Sequence, residues 1–214
     1  MPRTGAVPPG HVPAVKLLDV HHHGMGSVPA LPPLAAETFR CPTCAISYAE
    51  ITVERALDGI SAVPQEVSDA VAAVPLDVLS RRPSPATWSV LEYTCHLRDV
   101  YATSTIRLHR ARTETRPVLE PMLNDLRARR FRYHTLPVDA VLTELGANVS
   151  GLCDEVARFG SAEWERVVTR LPGEERSARW VLRNALHEGV HHLQDIRDVA
   201  AALGVVLPDR DRSP

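Results

Sequence analysis

Apolar residues recur at helical spacing in four long stretches of the chain, most regularly near its end. Leu182, Leu186, Gly189, Leu193, Ile196, Ala200 and Leu203 alternate by four and three residues. That spacing puts them on one seam of a helix running from about Ser177 to Leu203, with Gly204 as its stop. A second stripe, Val90, Leu97, Tyr101 and Leu108 with Tyr93 and Val100 beside it, predicts a helix from Ser89 to about Arg112. Its start is marked three ways: Ser89 and Glu92 form an S-x-x-E capping box, Trp88 and Tyr93 take the staple positions, and Pro83 and Pro85 hold the preceding chain out of helix. Two further helices are predicted over about 51–73, broken or kinked at Pro64, and about 137–159, with Pro137 at the first helical position and Gly160 at the end. Val167-Val168-Thr169 and residues 204–208 are too short to carry a sheet. Four long amphipathic helices, with a long connection at 113–136 between the second and third, predict an all-α four-helix bundle.

Composition narrows the setting. A chain of 214 residues with 44% hydrophobic content can bury one good core. Residues 1–40, rich in Pro and Gly without periodicity, read as a flexible tail; 41–204 read as the helical domain and 205–214 as a short second tail. His21-His22-His23 is too short for a purification tag, and Met25 offers an alternative start. The formal net charge of −2 gives no reason to expect a nucleic-acid partner. No apolar run approaches membrane-spanning length, and the amino end lacks a basic-then-apolar signal pattern, which leaves the cytoplasm as the default.

The candidate chemistry centres on His187-Glu188-Gly189-Val190-His191-His192. Imidazoles four residues apart on a helix project to one side, one turn apart, so His187 and His191 can share an ion. The run also fits H-E-x-x-H, in which Glu188 would be a general base. Peptide-cleaving enzymes of that type hold substrate along a sheet edge, and no sheet is predicted here. A catalytic zinc needs a third protein ligand. Downstream, only Asp195 and Asp198 remain, at approximate spacings. Upstream, His96 sits at the edge of its helix's apolar stripe, and with His187 and His191 it makes a three-imidazole site. A half-buried core histidine is the plainer account of His96 alone. His187 and His191 fall roughly opposite the seam of their helix, which suits an open metal site and equally suits plain exposure.

Other residues enter with less pattern behind them. Asp99 and Asp195, one turn beyond His96 and His191, are candidates to hold the ligand rings, or else ordinary surface charge. Cys41-Pro42-Thr43-Cys44 is half of a zinc knuckle, a redox dithiol, or a pair of reduced cysteines; Cys95 and Cys153 are single. The basic connection from Asn124 to Tyr133, with Arg130 and Tyr133, could lie over a cleft and bind an acidic substrate, or be a solvated helix face.

The helix opening W-S-x-L-E-Y-x-C-H-x-R-D-V (Trp88 to Val100) and the last helix's L-H-x-x-V-H-H-L-x-D (Leu186 to Asp195) resemble the DinB-like superfamily. This group includes mycothiol-dependent maleylpyruvate isomerases and bacillithiol S-transferases. The likeness spans about 41–204, and C-P-x-C at 41–44 resembles the amino-terminal element of an actinobacterial subgroup. Arginine supplies nearly all the basic residues, Lys16 being the one lysine, which points the same way; such bacteria use mycothiol as their main small thiol. The resemblance implies a four-helix bundle holding a divalent metal, zinc with Ni²⁺ or Fe²⁺ as alternatives, on His96, His187 and His191. His192 and Gln194 match the polar positions after the second ligand of the last helix, and Glu188 falls where an acidic residue is frequent. The isomerases carry Glu as the first ligand of that helix, and His187 departs from this.

The expected function is therefore a metal-dependent S-transferase or isomerase using a thiol, mycothiol, on a small electrophile. A metal ion would deprotonate a bound thiol near neutral pH. A zinc hydrolase of a small amide or ester and a non-enzymatic metal-binding stress or interaction protein are the alternatives. The partner is a small molecule. Pairing of two copies through an outer helix face is open, with no surface stripe arguing for it.

Overall fold

A computed structural model describes residues 31–207 of the chain. Its long helices are α1 (Val53–Ala72), α2 (Val90–Thr113), α4 (Val138–Val156) and α5 (Ala178–Ala202), with a short α3 (Asn124–Arg130) in the connection between α2 and α4. The four-helix bundle expected from the apolar periodicity is present. Its arrangement is less usual: α4 and α5 each pack against both α1 and α2, while α1 and α2, consecutive in sequence, sit on a diagonal and barely touch. The links 73–89 and 157–177 therefore cross the ends of the bundle.

The signals at the helix ends account for most boundaries. Ser89 accepts from the Glu92 backbone N–H, and Glu92 accepts from that of Ser89, completing the capping box. Such a cap is worth about 1 kcal/mol. Arg82 grips the otherwise buried Glu92 through two bonds of 2.6 and 2.7 Å, which removes the cost of hiding an unpaired carboxylate. The rings of Trp88 and Tyr93 meet at 5.5 Å as the staple requires. At the other end of the bundle Ser177 caps α5. Gly204, at φ +81°, closes that helix with backbone bonds to Ala201 and, through Val205, to Ala200.

Several expectations need correction. α1 runs through Pro64 as one element. Pro137 is the N-cap of α4 and not its first helical residue, and α4 stops at Val156. Gly160 is not the stop: tight turns from Glu155 to Phe159 end the helix earlier, and Phe159 then stacks on Trp164 with centroids 4.3 Å apart. The Val167-Val168-Thr169 segment does form a strand, β1, paired antiparallel with β2 (Glu175–Ser177). The hairpin feeds directly into α5, since Ser177 both ends β2 and caps the helix.

Residues 33–52 pack against α5 and the hairpin. Arg176 donates to the carbonyls of Leu34 and Ala35, Glu37 accepts from the Ser177 backbone, and Arg183 donates to the Ile51 carbonyl. Tyr48, fully buried, packs edge-on to Trp180 and Phe39. The compact unit begins at Pro33. Most of the tail expected at 1–40, with His21-His22-His23 and Met25, lies outside the described residues, as do 208–214 of the second tail. Among the described residues no helix is long and apolar enough to cross a membrane.

Candidate functional site

α5 passes between two groups of ligand-type side chains. On the side facing α2, Glu188 and His192 stand one turn apart, next to the Gly189 and Leu193 of the packing seam. His96, 2% exposed, meets them from the second turn of α2. His96 Nε2 lies 3.2 Å from Glu188 Oε2, and His192 Nε2 lies 3.2 Å from the same oxygen. One donor atom from each of the three falls within 4.8 Å of the others. Donors about 2.1 Å from a tetrahedral ion sit about 3.4 Å apart, so this trio fits one divalent cation with little adjustment.

The surroundings fix the trio's chemistry. Asp195 Oδ2 lies 2.7 Å from His192 Nδ1, so that nitrogen carries the donated hydrogen and Nε2 is the atom turned to Glu188 and His96. Burial pushes His192 down, but its bonds to Asp195 and Glu188 outweigh this and raise it to about 9. Burial likewise pushes Glu188 up, and the two imidazoles overcome it, holding the carboxyl far below the usual carboxylate range. Trp88 packs edge-on to His96 at 5.3 Å, and Tyr93 lies 5.3 Å from His192, giving the trio an aromatic rim. Trp88 Nε1 donates to Asp125 of α3, which ties the α2–α4 connection to that rim.

Gly189 sets how closely the helices meet beside this trio. A Cβ there would stand 2.1 Å from the Tyr101 hydroxyl and 2.9 Å from Val63. Only hydrogen at this position lets α1, α2 and α5 approach as they do.

The other side of α5 carries His187 and His191. Over them lies the turn Cys41-Pro42-Thr43-Cys44-Ala45, closed by bonds from the Ala45 N–H to the Cys41 carbonyl and from the Cys41 N–H to the Ile46 carbonyl. Ala45 is held at φ +61°, a left-handed conformation costly for a residue with a Cβ. Donors of Cys41, Cys44, His187 and His191 all lie within 4.8 Å of one another. Cys41 Sγ is 3.5 Å from His191 Nδ1. Tyr48 donates to Asn184 at 3.2 Å and stands 3.2 Å from His187 Nδ1, which therefore donates to the phenol oxygen. His187 Nε2 is left as a bare lone pair, buried and without a partner among the described residues. Burial pushes His187 below its ordinary value. Burial also pushes Cys41 up, but backbone N–H groups of Cys44 and Thr43, with Cys44 and His191, lower it to about 7.

The expected trio of His96, His187 and His191 is not among the sets that the described residues bring together. His96 converges instead with Glu188 and His192, the pair one position further along α5. One residue is about 100° of helix rotation, enough to exchange the face against α2 for the face beneath the 41–48 turn. Asp195 does stand behind a ligand-type ring, that of His192, and lies 3.7 Å from His191 Nε2 as well; these three residues form a third close set. Asp99 does not back His96: it accepts from Arg98, Arg127 and Tyr133. Tyr133 is buried on that carboxylate, so it packs the connection down and does not face a cleft. Gln194 donates to Asp198, and Arg130 is exposed at the end of α3. Tyr48 and Trp88 carried no ligand-type signal in the sequence; their roles come from where the chain folds back.

The sequence profile of the DinB superfamily matches residues 60–196, more than half of the chain. No curated protein sequence matches the chain. Among solved structures, the fold is similar to YfiT from Bacillus subtilis, described as a probable metal-dependent hydrolase with an unusual four-helix bundle topology. That likeness has 17% identity and a TM-score of 0.67 over 75% of this chain and 91% of that one. It is also similar to the mycothiol-dependent maleylpyruvate isomerase, at 16% identity and a TM-score of 0.58 over 74% of this chain and 68% of that one. His96, Glu188 and His192 fall inside the matched region, Cys41 and Cys44 outside it. By that match, the chain belongs to the DinB superfamily.

Proposed function

We propose that this protein is a metal-dependent enzyme that activates a small thiol, of the mycothiol kind, for transfer to a small electrophile, and that His96, Glu188 and His192 hold its ion. The observation that carries this reading is the meeting of His96 Nε2 and His192 Nε2 on one Glu188 oxygen. Three protein ligands leave a position open, the arrangement of catalytic rather than structural sites. A divalent ion held there would supply Lewis acidity, lowering the pKa of a thiol or water at that position towards neutral.

The chain's own residues do the rest. Asp195 holds the His192 ring with Nδ1 protonated, so Nε2 is the nitrogen that would face an ion once its own proton is displaced. Glu188 would contribute one negative charge against the two of a divalent ion, so the centre would stay cationic and favour an anionic ligand such as a thiolate. Trp88 and Tyr93 limit water around it and offer an apolar wall to the electrophile.

Glu188 also favours the thiol-dependent reading over hydrolysis. The resemblance gives the isomerases a Glu as first ligand of the last helix, and Glu188 with His192 supplies Glu-x-x-x-His in that place. The likeness in fold to the mycothiol-dependent maleylpyruvate isomerase supports the same direction. The hydrolase reading keeps one support, the description of YfiT as a probable metal-dependent hydrolase.

The test is a thiol-consumption assay with a panel of small electrophiles, run on zinc-, nickel- and iron-loaded protein. Turnover that needs both thiol and metal and is lost in His192→Ala is the expected result. Ester or amide cleavage without thiol, lost with chelator, would replace it with the hydrolase reading.

A further inference from the structure

We infer that Cys41, Cys44, His187 and His191 form a second metal centre, a closed four-ligand zinc site that clips the amino-terminal segment onto α5. Four features meet there. Two thiols and two imidazoles place their donors within 4.8 Å of one another. The 3.5 Å between Cys41 Sγ and His191 Nδ1 is close to the roughly 3.6 Å separating a sulfur and a nitrogen on one tetrahedral zinc. His187 Nε2 is buried with no partner among the described residues, while Tyr48, itself tied to Asn184, holds the ring at Nδ1. Cys41 and Cys44 are both free, so neither is committed to a disulfide.

The donor set selects the ion. Two sulfurs and two nitrogens in a tetrahedral array suit zinc over magnesium, calcium or manganese, which prefer oxygen. Two thiolates cancel the charge of Zn²⁺, so the loaded centre is neutral and can sit half-buried under Phe39 and Tyr48. All four positions are taken by protein, which leaves none for substrate. The spacing Cys-x-x-Cys with His-x-x-x-His is that of small zinc modules, here split between a turn and a long helix.

The role is mechanical. Residues 41 and 44 lie outside the superfamily match, so the turn is an addition to the bundle, held on the face of α5 about 100° round from the one that meets α2. Asp195 Oδ2 lies 2.7 Å from His192 Nδ1 and 3.7 Å from His191 Nε2, so one carboxylate holds a ligand of the first centre and stands beside a ligand of the second. The clip does not depend on the reaction proposed for the first centre.

The test uses the full chain, reduced and loaded with zinc or cobalt. Element analysis should give two equivalents of zinc. Cobalt-substituted protein should show a thiolate-to-metal charge-transfer band. Cys41→Ser should lose one equivalent together with that band, whereas His96→Ala should lose the other equivalent and keep it. Independently of any variant, alkylation of Cys41 and Cys44 should be slowed by bound zinc and restored by chelator. A cobalt spectrum without a thiolate band, or alkylation at one rate with and without zinc, overturns the inference even if Cys41→Ser fails to fold. Failure of the His96 centre would appear separately, as one equivalent of zinc with the thiolate band intact.

Discussion

The two long faces of α5 beside its packing seam carry nearly the same letters and do different work. Towards α2 stand Glu188 and His192; one residue earlier, about 100° round the helix, stand His187 and His191. The first pair meets a single further ligand-type side chain, His96, and an ion held there would keep an open position and a net positive charge. The second pair meets two thiols, and a zinc ion held there would be closed in and neutral. A helix with ligands at i and i+4 supplies half of a metal site on whichever face it presents; what packs over that face decides whether the result catalyses or staples.

The sharpest way to break the comparison is to remove one ligand from each face. His192→Ala should bring thiol-dependent turnover to background with the thiolate–cobalt band retained. His187→Ala should weaken cobalt binding at the thiolate centre and shift that band, and leave turnover measurable, because His96, Glu188 and His192 remain. If instead His187→Ala abolishes turnover and His192→Ala spares it, the catalytic set is the three-imidazole one first suggested by the sequence.

Asp195 touches both faces, and its replacement should show which depends on it more. Removing the carboxylate behind a ligating imidazole typically costs 10–100-fold in metal affinity or activity. Asp195→Asn is therefore expected to weaken metal binding at the His96 centre by about 10–100-fold, since the contact to His192 is 2.7 Å. The Cys41 centre should change less, its contact through His191 being 3.7 Å. Competition with a chromophoric chelator, with the thiolate band reporting the second centre, reads both. Equal weakening would mean the carboxylate braces the two alike.

How much of this was legible in the sequence follows from what each signal encodes. The capping box, the staple, the α5 seam and Gly204 are local, and they placed α2 and α5 to within a residue or two. His96 was legible because it lies on a helix whose start is so marked. The register of its partners was not. H-x-x-x-H and E-x-x-x-H overlap in the same six residues, and only the position of α2 around α5 separates them. That position is set by long-range packing, including the diagonal placement of α1 and α2, which no local pattern carries. Cys41 and Cys44 were visible as half of a knuckle. Their missing half lay about 145 residues away, in a histidine pair that the spacing alone assigns to His96. The short hairpin and the early end of α4 were lost to the same cause, contacts such as Phe159 on Trp164 that periodicity does not report.

A smaller effect tests the spacing between the helices. Gly189→Ala puts a methyl group against the Tyr101 hydroxyl, which is buried and cannot swing away freely. Overpacking of this kind costs about 1–3 kcal/mol, and the expected result is a lower Tm with both metal equivalents still bound. Pairing it with Tyr101→Phe, which removes the clashing oxygen, should restore part of the loss. A Gly189→Ala protein as stable as the parent would show that α1, α2 and α5 do not meet as tightly as described.

The last effect is a single proton. Without metal, His192 is raised to about 9, so at pH 7 its ring is charged and donates to Glu188 and Asp195 together. A raised folded-state value means this charge adds stability fully below the unfolded value of about 6.5, and the contribution is lost as pH rises through about 9. A cation on His192 Nε2 must displace that proton. Metal uptake at the His96 centre should therefore release one proton from this ring at pH 7 and none well above 9, with affinity climbing about tenfold per pH unit in between. Titration calorimetry of the Cys41→Ser, Cys44→Ser double variant, repeated in buffers of different ionisation enthalpy, counts the proton without interference from the thiols. The outer face should behave differently, since burial already keeps His187 neutral at pH 7 and its release must come from the cysteines. Should the variant release no proton at pH 7, His192 is not the ligand that separates the two faces of α5.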